Sequence, residues 1–438
     1  MSLLGGIYLY LKDAFLSKEY RILKTAGLLA VVVVLSRADF LFTNYRIVAL
    51  AIMSAAAYFG VRTYGRLFGL VAHVRFPLVV FFGTRVPLAI VTYLSCHFFG
   101  RTPESIWHLA KHWDATYYEG ISLWGYWLCP QMSNVAAFCP LMPFLMRSSD
   151  FLYEHICFSG AILANLCFLI SLMLLYAFVR PRWGEDTAQK TTLLMALGPA
   201  SFFFSAIYSE SLFLMLSLCF FIFLLDKRWA WAGVFGFLAG LARSTGAILA
   251  VVWIWEYVRV IRFNPKKIRW DVLWVLLIPV SSAIFAFLLY GSTGEPFANV
   301  VVQKAWHREP FQNPITSSLD RLLGLSFEFW RLDPDYAQRQ TVEFSWALAY
   351  FFAFLCVIPV VRRLGSSLGL FTVLGLLLPL STGSLEAGVR FAQVLFPITI
   401  WLGLKSSRSP TFYAVLLPTF AMLMVFFAIQ FVLDMWMV

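Results

Sequence analysis

The sequence predicts an all-α polytopic membrane protein, and three observations carry that prediction. Hydrophobic residues make up 61% of the 438 positions and charged residues only 13%, with a mean hydropathy of +0.77, a balance unlike that of water-soluble globular domains. The apolar residues fall in runs, many of which approach the roughly 20 residues that a helix needs to cross a hydrocarbon core. The lysines and arginines stand in short clusters between those runs, the pattern that sets membrane topology.

Taken in order, Met1 to Lys24 mixes Lys12, Asp13, Lys18, Glu19 and Arg21 into Leu, Tyr and Phe at roughly helical spacing. This predicts an amphipathic helix on the cytoplasmic membrane surface rather than a cleavable signal. Apolar runs then predict spans at 25–43, 46–61, 76–99, 156–180, 190–208, 211–225, 229–242, 245–260, 270–290, 346–361, 367–382, 391–404 and 411–433. That gives about 11 to 13 crossings, with 13 preferred, and the shorter runs near 25–61 and 229–260 are candidates for partial or re-entrant hairpins. The chain accordingly divides into an N-terminal part, 1–75, with an amphipathic helix and two spans, and a longer membrane domain, 76–438.

Orientation follows from the basic clusters. Placing the N-terminus and the segments 62–75, 180–190, 226–228, 259–269, 362–363 and 405–408 inside puts most of the Lys and Arg on the cytoplasmic side. The two long polar segments, 100–155 and 291–345, then face outward. Neither has the composition of a linker: Trp107, Trp113, Trp124 and Trp127 lie in the first, and Trp306, Phe311, Phe327, Phe329 and Trp330 in the second. Both are read as amphipathic pieces folded over the outer leaflet, with function beneath them.

Several function classes are disfavoured. The net charge of +11 is spread over topological clusters rather than one basic patch, so nucleic acid is not expected as a partner. Seven cysteines show no CxxC pair and no zinc spacing, although Cys129 and Cys139 share the first outer loop and could form a disulfide there. No Gly-rich phosphate loop is present, and no serine has a recognisable base partner. His108 and His112 stand four apart without the Glu of an HExxH pattern, so interfacial hydrogen bonding is preferred to a metal site.

Against this apolar background the costly polar groups stand out, since ionisable residues at membrane depth mark sites by default. The leading one is Asp114, in His112-Trp113-Asp114-Ala115-Thr116-Tyr117-Tyr118. Arg85 lies inside the span 76–99, Glu210 opens the span 211–225, Arg243 sits between two short apolar runs, and Arg390 begins another. Each taken singly reads more readily as a snorkelling side chain or a structural ion pair. Together they describe an outward-facing cavity for an anionic lipid-linked substrate, with guanidinium groups holding a phosphate and a carboxylate taking a proton from an attacking hydroxyl.

The ordered set Trp113-Asp114-Ala115, Tyr118, Ile121, Gly125-Tyr126, Ser133-Asn134-Val135-Ala136, Phe138, Pro140, Leu141 and Pro143 resembles the first outer loop of the PIG-V (GPI mannosyltransferase 2-like) family of GT-C glycosyltransferases. The likeness continues in Pro199-Ala200-Ser201-Phe202-Phe203, in Tyr208-Ser209-Glu210-Ser211-Leu212-Phe213 and in Ala239-Gly240-Leu241-Ala242-Arg243-Ser244-Thr245-Gly246. Glu295-Pro296-Phe297 with Gln303 and Trp306, and Arg390 with Phe396-Pro397, extend it to residue 397. Two departures are the His112 that stands where family members commonly have Arg, and Leu123 where they have an acid, with Glu119 nearby.

The resemblance implies a GT-C fold and an inverting transfer of mannose from a polyprenyl- or dolichyl-phosphate mannose to a lipid-anchored or membrane-proximal glycan. Asp114 would be the general base and Glu210 the supporting acid. Arg243 and Arg390 rank first for holding the phosphate, with Lys304, His307 and Arg308 as alternatives. His112, Tyr118, Asn134 and Gln303 are the remaining candidate substrate contacts. No cofactor is expected, and a divalent metal is possible but not favoured. The expected setting is a bacterial plasma membrane with the site facing the periplasm, or else the ER membrane with a lumenal site. A lipid or glycolipid transporter is the rival reading, although no internal repeat is visible, and a non-catalytic scaffold of the same fold is a second.

Overall fold

A computed structural model describes residues 74–101, 109–126, 134–149, 155–306, 308–309, 312–313, 316 and 334–435. The chain divides into two units, Met1–Arg75 and Phe76–Val438, and the account below concerns the second. The expected N-terminal amphipathic helix and the spans 25–43 and 46–61 lie outside the described residues, as does His307. All regular structure among the described residues is helical. This agrees with the all-α membrane architecture that the sequence predicts.

The elements are α1 (Val74–Phe98), α2 (Ala115–Trp124), α3 (Leu141–Ser149), α4 (Ile156–Trp183), α5 (Glu185–Leu197), α6 (Glu210–Leu225), α7 (Trp229–Ala242) and α8 (Ile248–Val260). They continue with α9 (Leu277–Thr293), α10 (Ala298–Val301), α11 (Pro334–Leu364), α12 (Ser366–Leu380), α13 (Gly388–Gln393), α14 (Phe396–Arg408) and α15 (Pro410–Val432). Among the described residues, five helical stretches are long and apolar enough to cross a membrane: α1, α4, α9 with the 3-10 turn that precedes it, the part of α11 from Val342, and α15. Helices α6, α7 and α12 are apolar but shorter. The protein is multi-pass.

Eleven of the expected spans fall on described residues, and each contains a helix, with boundaries corrected by local chemistry. The run 190–208 is not one span. Helix α5 stops at Leu197, because Gly198 is followed by Pro199, whose ring disfavours helical geometry in the residue before it. The chain then runs through a 3-10 turn, Ser201–Phe204, to Glu210. The second outer segment, read as 291–345, also ends early: α11 starts at Pro334, a residue suited to the first position of a helix because it has no N–H to leave unpaired.

The seam that carries one wall of the site is built from small residues. Gly233 and Gly240 of α7 face α9 and the turn before it, where an added Cβ would collide with the Trp274 carbonyl or with Ser281 Oγ. Removing those side chains lets two helices approach closely, as in membrane helix pairs generally. Helix α7 packs on α6 along its other side, and α6 packs on α4.

Arg85 is buried within α1. Its guanidinium donates to the Ser201 carbonyl at 2.9 Å, to Ser201 Oγ at 2.9 Å and to the Ala196 carbonyl, and lies 4.9 Å from the centre of the Phe168 ring. It caps the C-terminal end of α5, whose last carbonyls lack intrahelical partners. Cys139 is buried, and burial pushes its thiol up to about 12; Cys129, the partner considered for it in the sequence, lies outside the described residues.

Candidate functional site

A cavity of about 400 Å3 opens where the first long polar segment, the start of α6, the α7–α8 turn, the second long polar segment and the stretch from the end of α12 to α13 converge. Asp114, Glu210, Arg243, Gln303, Arg308, Glu386 and Arg390 line it among apolar neighbours. Residues far apart in the chain are thus brought to one place, and each reaches it by a local device.

Asp114 stands immediately before α2, and the preceding Trp113 adopts φ +53°. A bulky non-glycine residue rarely takes that left-handed conformation, so the surrounding structure must enforce it. The peptide on either side is clamped by Tyr208: the Asp114 N–H donates to its phenolic oxygen at 3.1 Å, and the phenol donates to the His112 carbonyl at 3.2 Å. The Asp114 side chain does not cap α2 and turns into the cavity.

Glu210 is the first residue of α6 and is almost fully buried. Arg243 reaches it from the α7–α8 turn, which folds back so tightly that a Cβ at Gly246 would sit 2.6 Å from the backbone of Ala239. Arg390 comes from α13, a six-residue helix entered through Ala387 at φ +62°. That helix lies close to α11, where a Cβ on Gly388 would meet the Tyr350 ring and the Trp346 carbonyl.

The charges interlock. Arg390 Nη1 donates to Asp114 Oδ2 at 2.6 Å, and Arg390 Nε lies 3.4 Å from Glu210 Oε1. Arg243 is hydrogen-bonded to the same Glu210 oxygen. Arg308 is held more loosely, with Nε 3.7 Å from Glu386 Oε2 and Nη1 donating to Gln303 Oε1 at 3.4 Å. Burial alone would lower the Arg390 pKa, but Asp114 and Glu210 outweigh it and the net shift is upward. For Arg308 burial prevails over Glu386, and its pKa falls. Both directions have the same physical basis, which is the cost of a charge away from water set against the attraction of its partners.

Phe391 supplies a feature that sequence reasoning missed. The guanidinium carbons of Arg243, Arg308 and Arg390 lie 5.5, 5.8 and 5.9 Å from its ring centre, within cation–π range. One aromatic ring therefore organises all three cations of the cavity. Glu386 was also missed. It follows Ser384, whose Oγ accepts from the Glu386 N–H at 3.2 Å, and in sequence it reads as an ordinary solvated loop acid.

Of the sequence-predicted residues, Asp114, Tyr118, Glu210, Arg243, Gln303, Arg308 and Arg390 line the cavity. Tyr118 does so with its hydroxyl donating to Ser209 Oγ at 2.9 Å. His112, Lys304 and Asn134 do not line it. His112 is taken by Asp434 near the C-terminus, at 2.7 Å, and packs on Phe431. Lys304 is exposed, and Asn134 precedes the 3-10 turn Val135–Ala137.

A family model described as Mannosyltransferase (PIG-V) matches residues 95–293. Over that span the chain is similar to the PIG-V family. The matched span contains Asp114, Glu210 and Arg243, whereas Arg308, Glu386 and Arg390 lie beyond it, so the cavity joins residues inside the match to a C-terminal part outside it. Searches of curated proteins and of solved structures return no match. That likeness supports a mannosyltransferase.

Proposed function

We propose that the protein transfers mannose from a polyprenyl-phosphate mannose to a hydroxyl of a membrane-proximal, lipid-anchored glycan, by a GT-C type inverting displacement with Asp114 as general base. The observation that carries this reading is the Asp114–Arg390 contact of 2.6 Å inside a cavity shared with Arg243 and Arg308. It puts a proton acceptor and phosphate-binding guanidiniums within one substrate's reach.

The chemistry balances on these groups. The acceptor oxygen forms a bond to C1 of mannose as the bond from C1 to the phosphate oxygen breaks. The hydroxyl proton passes to Asp114, and polyprenyl phosphate leaves as an anion. A phosphate leaving group needs charge stabilisation more than it needs a proton, which suits arginines fixed in place before the reaction. Without substrate, the cavity's three carboxylates and three guanidiniums balance. A donor phosphate adds negative charge and competes with Asp114 for Arg390. On that exchange the Asp114 carboxylate gives up Arg390 and is left to face the acceptor hydroxyl. Arg308, with the longest contacts, is the cation freest to follow the phosphate.

The proposed setting is a bacterial plasma membrane with the cavity on the periplasmic face, in line with the basic clusters at the opposite helix ends. No metal step is invoked. The test uses purified protein in lipid nanodiscs with polyprenyl-phosphate mannose and a hydroxyl-bearing glycolipid acceptor. Equimolar formation of polyprenyl phosphate and mannosylated acceptor of inverted anomeric configuration is expected. Retained configuration, or transfer that proceeds equally from a nucleotide sugar, would refute the proposal.

A further inference from the structure

A second concentration of cations lies at the far end of α8. That helix begins beside the Arg243 turn, and its 13 residues carry the chain about 20 Å away. Helix α9 then brings it back to Asn299 and Gln303 in the cavity wall. Between them is an elbow in which Arg262 and Phe263 both have positive φ, and Asn264 caps the 3-10 turn Pro265–Lys267.

Arg262, Lys266, Lys267 and Arg269 are all exposed there, and among the described residues none has a carboxylate within ion-pair distance. The nearby acids are already engaged. Glu256 is buried and bonded to Arg259 and Ser367, and Asp271 accepts from the Tyr257 hydroxyl at 2.8 Å. The contrast with the cavity, where every guanidinium faces a carboxylate, is complete.

Directly after the cations, Trp270–Leu276 forms a 3-10 helix with three residues per turn. That period sets Trp270, Leu273 and Leu276 along one edge, exposed by 88%, 50% and 55%. Val272 and Val275 pack against the protein core instead. The stretch is the first part of the spanning segment Trp270–Thr293, so this edge enters the bilayer just beneath its surface, below a cluster of unpaired cations. A soluble polyanion could meet the cations but would leave the apolar edge uncovered.

We propose that this elbow is a binding site for an anionic phospholipid. The headgroup phosphate is held by Arg262, Lys266, Lys267 and Arg269, and the acyl chains lie on the Trp270–Leu273–Leu276 edge. Four basic groups near an anionic headgroup give a preference on the order of tenfold or more at moderate salt. The test reconstitutes the full chain in nanodiscs of equal parts phosphatidylcholine and phosphatidylglycerol, then counts retained lipids by native mass spectrometry. Phosphatidylglycerol is expected to be retained over phosphatidylcholine by about that factor. The variant Arg262→Gln/Lys266→Gln/Lys267→Gln/Arg269→Gln should lose the preference, and Lys266→Gln/Lys267→Gln should fall between. An unchanged preference in the fourfold variant, or no preference in the natural sequence, overturns the proposal. Lipid retention is read without any sugar transfer, so the outcome is independent of the proposed reaction.

Discussion

Arg85 and Arg390 are both buried arginines in a chain with few charges, yet their surroundings differ in kind. Arg85 lines an apolar cavity of about 350 Å3 between α1, α4 and α15, and its donors go to the Ser201 hydroxyl and to carbonyl oxygens. Arg390 lines a cavity that also holds carboxylates, and its donors face Asp114 and Glu210. A buried cation whose partners are neutral and fixed closes a helix end. One whose partners are ionisable and open to a cavity can exchange them for an anionic substrate. Burial of charge therefore nominates a site, and the chemistry of the partners decides it.

The largest effect expected from this contrast is at Arg390. Arg390→Ala should weaken donor binding about a hundredfold or more, since charge-assisted hydrogen bonds to phosphate are lost. It should also cost stability, on the order of 3–5 kcal/mol, by stranding buried carboxylates. Donor titration by isothermal calorimetry, alongside thermal unfolding in detergent, measures both. Arg390→Lys, which keeps the charge, should recover most of the stability but not the paired geometry, and so separates the two losses.

Arg85→Met should behave oppositely. Removing the guanidinium from the Ser201 and Ala196 carbonyls is expected to lower stability by about 1–3 kcal/mol, while turnover and KM per folded molecule stay as in the natural sequence. A hundredfold loss of turnover in folded Arg85→Met would place Arg85 in the reaction and break the comparison.

Phe391→Leu is a smaller perturbation. Losing the ring shared by three guanidiniums, at about 0.5–2 kcal/mol per contact, should raise donor KM several-fold with a lesser change in kcat. Lys304→Gln marks the lower bound. With an exposed side chain outside the cavity, it should leave steady-state kinetics within about twofold, as surface substitutions generally do.

How far the sequence could reach follows from the same contrast. Asp114, Glu210, Arg243 and Arg390 were legible because an ionisable group beside long apolar runs is conspicuous, and the helices were legible because the runs are long. Phe391 was not, since it is one of 44 phenylalanines and nothing local distinguishes a ring that meets cations from one that meets lipid. Glu386 pairs with Arg308 across a long stretch of chain, a relation fixed only by tertiary packing. His112 lies outside the cavity for a backbone reason. Its neighbour Trp113 is left-handed, so Asp114 turns into the cavity while His112 goes to Asp434, a partner 322 positions away. The break at Gly198-Pro199 was visible as residues, but hydropathy averaged across it.

The most direct measurement is on Asp114→Asn, a substitution that keeps the shape and removes the base. Nanodisc-held protein is loaded with polyprenyl-phosphate mannose, donor occupancy is quantified, and release of polyprenyl phosphate is followed after acceptor is added. Donor occupancy equal to that of the natural sequence, with release slowed by roughly a hundredfold to ten-thousandfold, is the predicted result. Release at the natural rate from a fully occupied Asp114→Asn site would contradict the account.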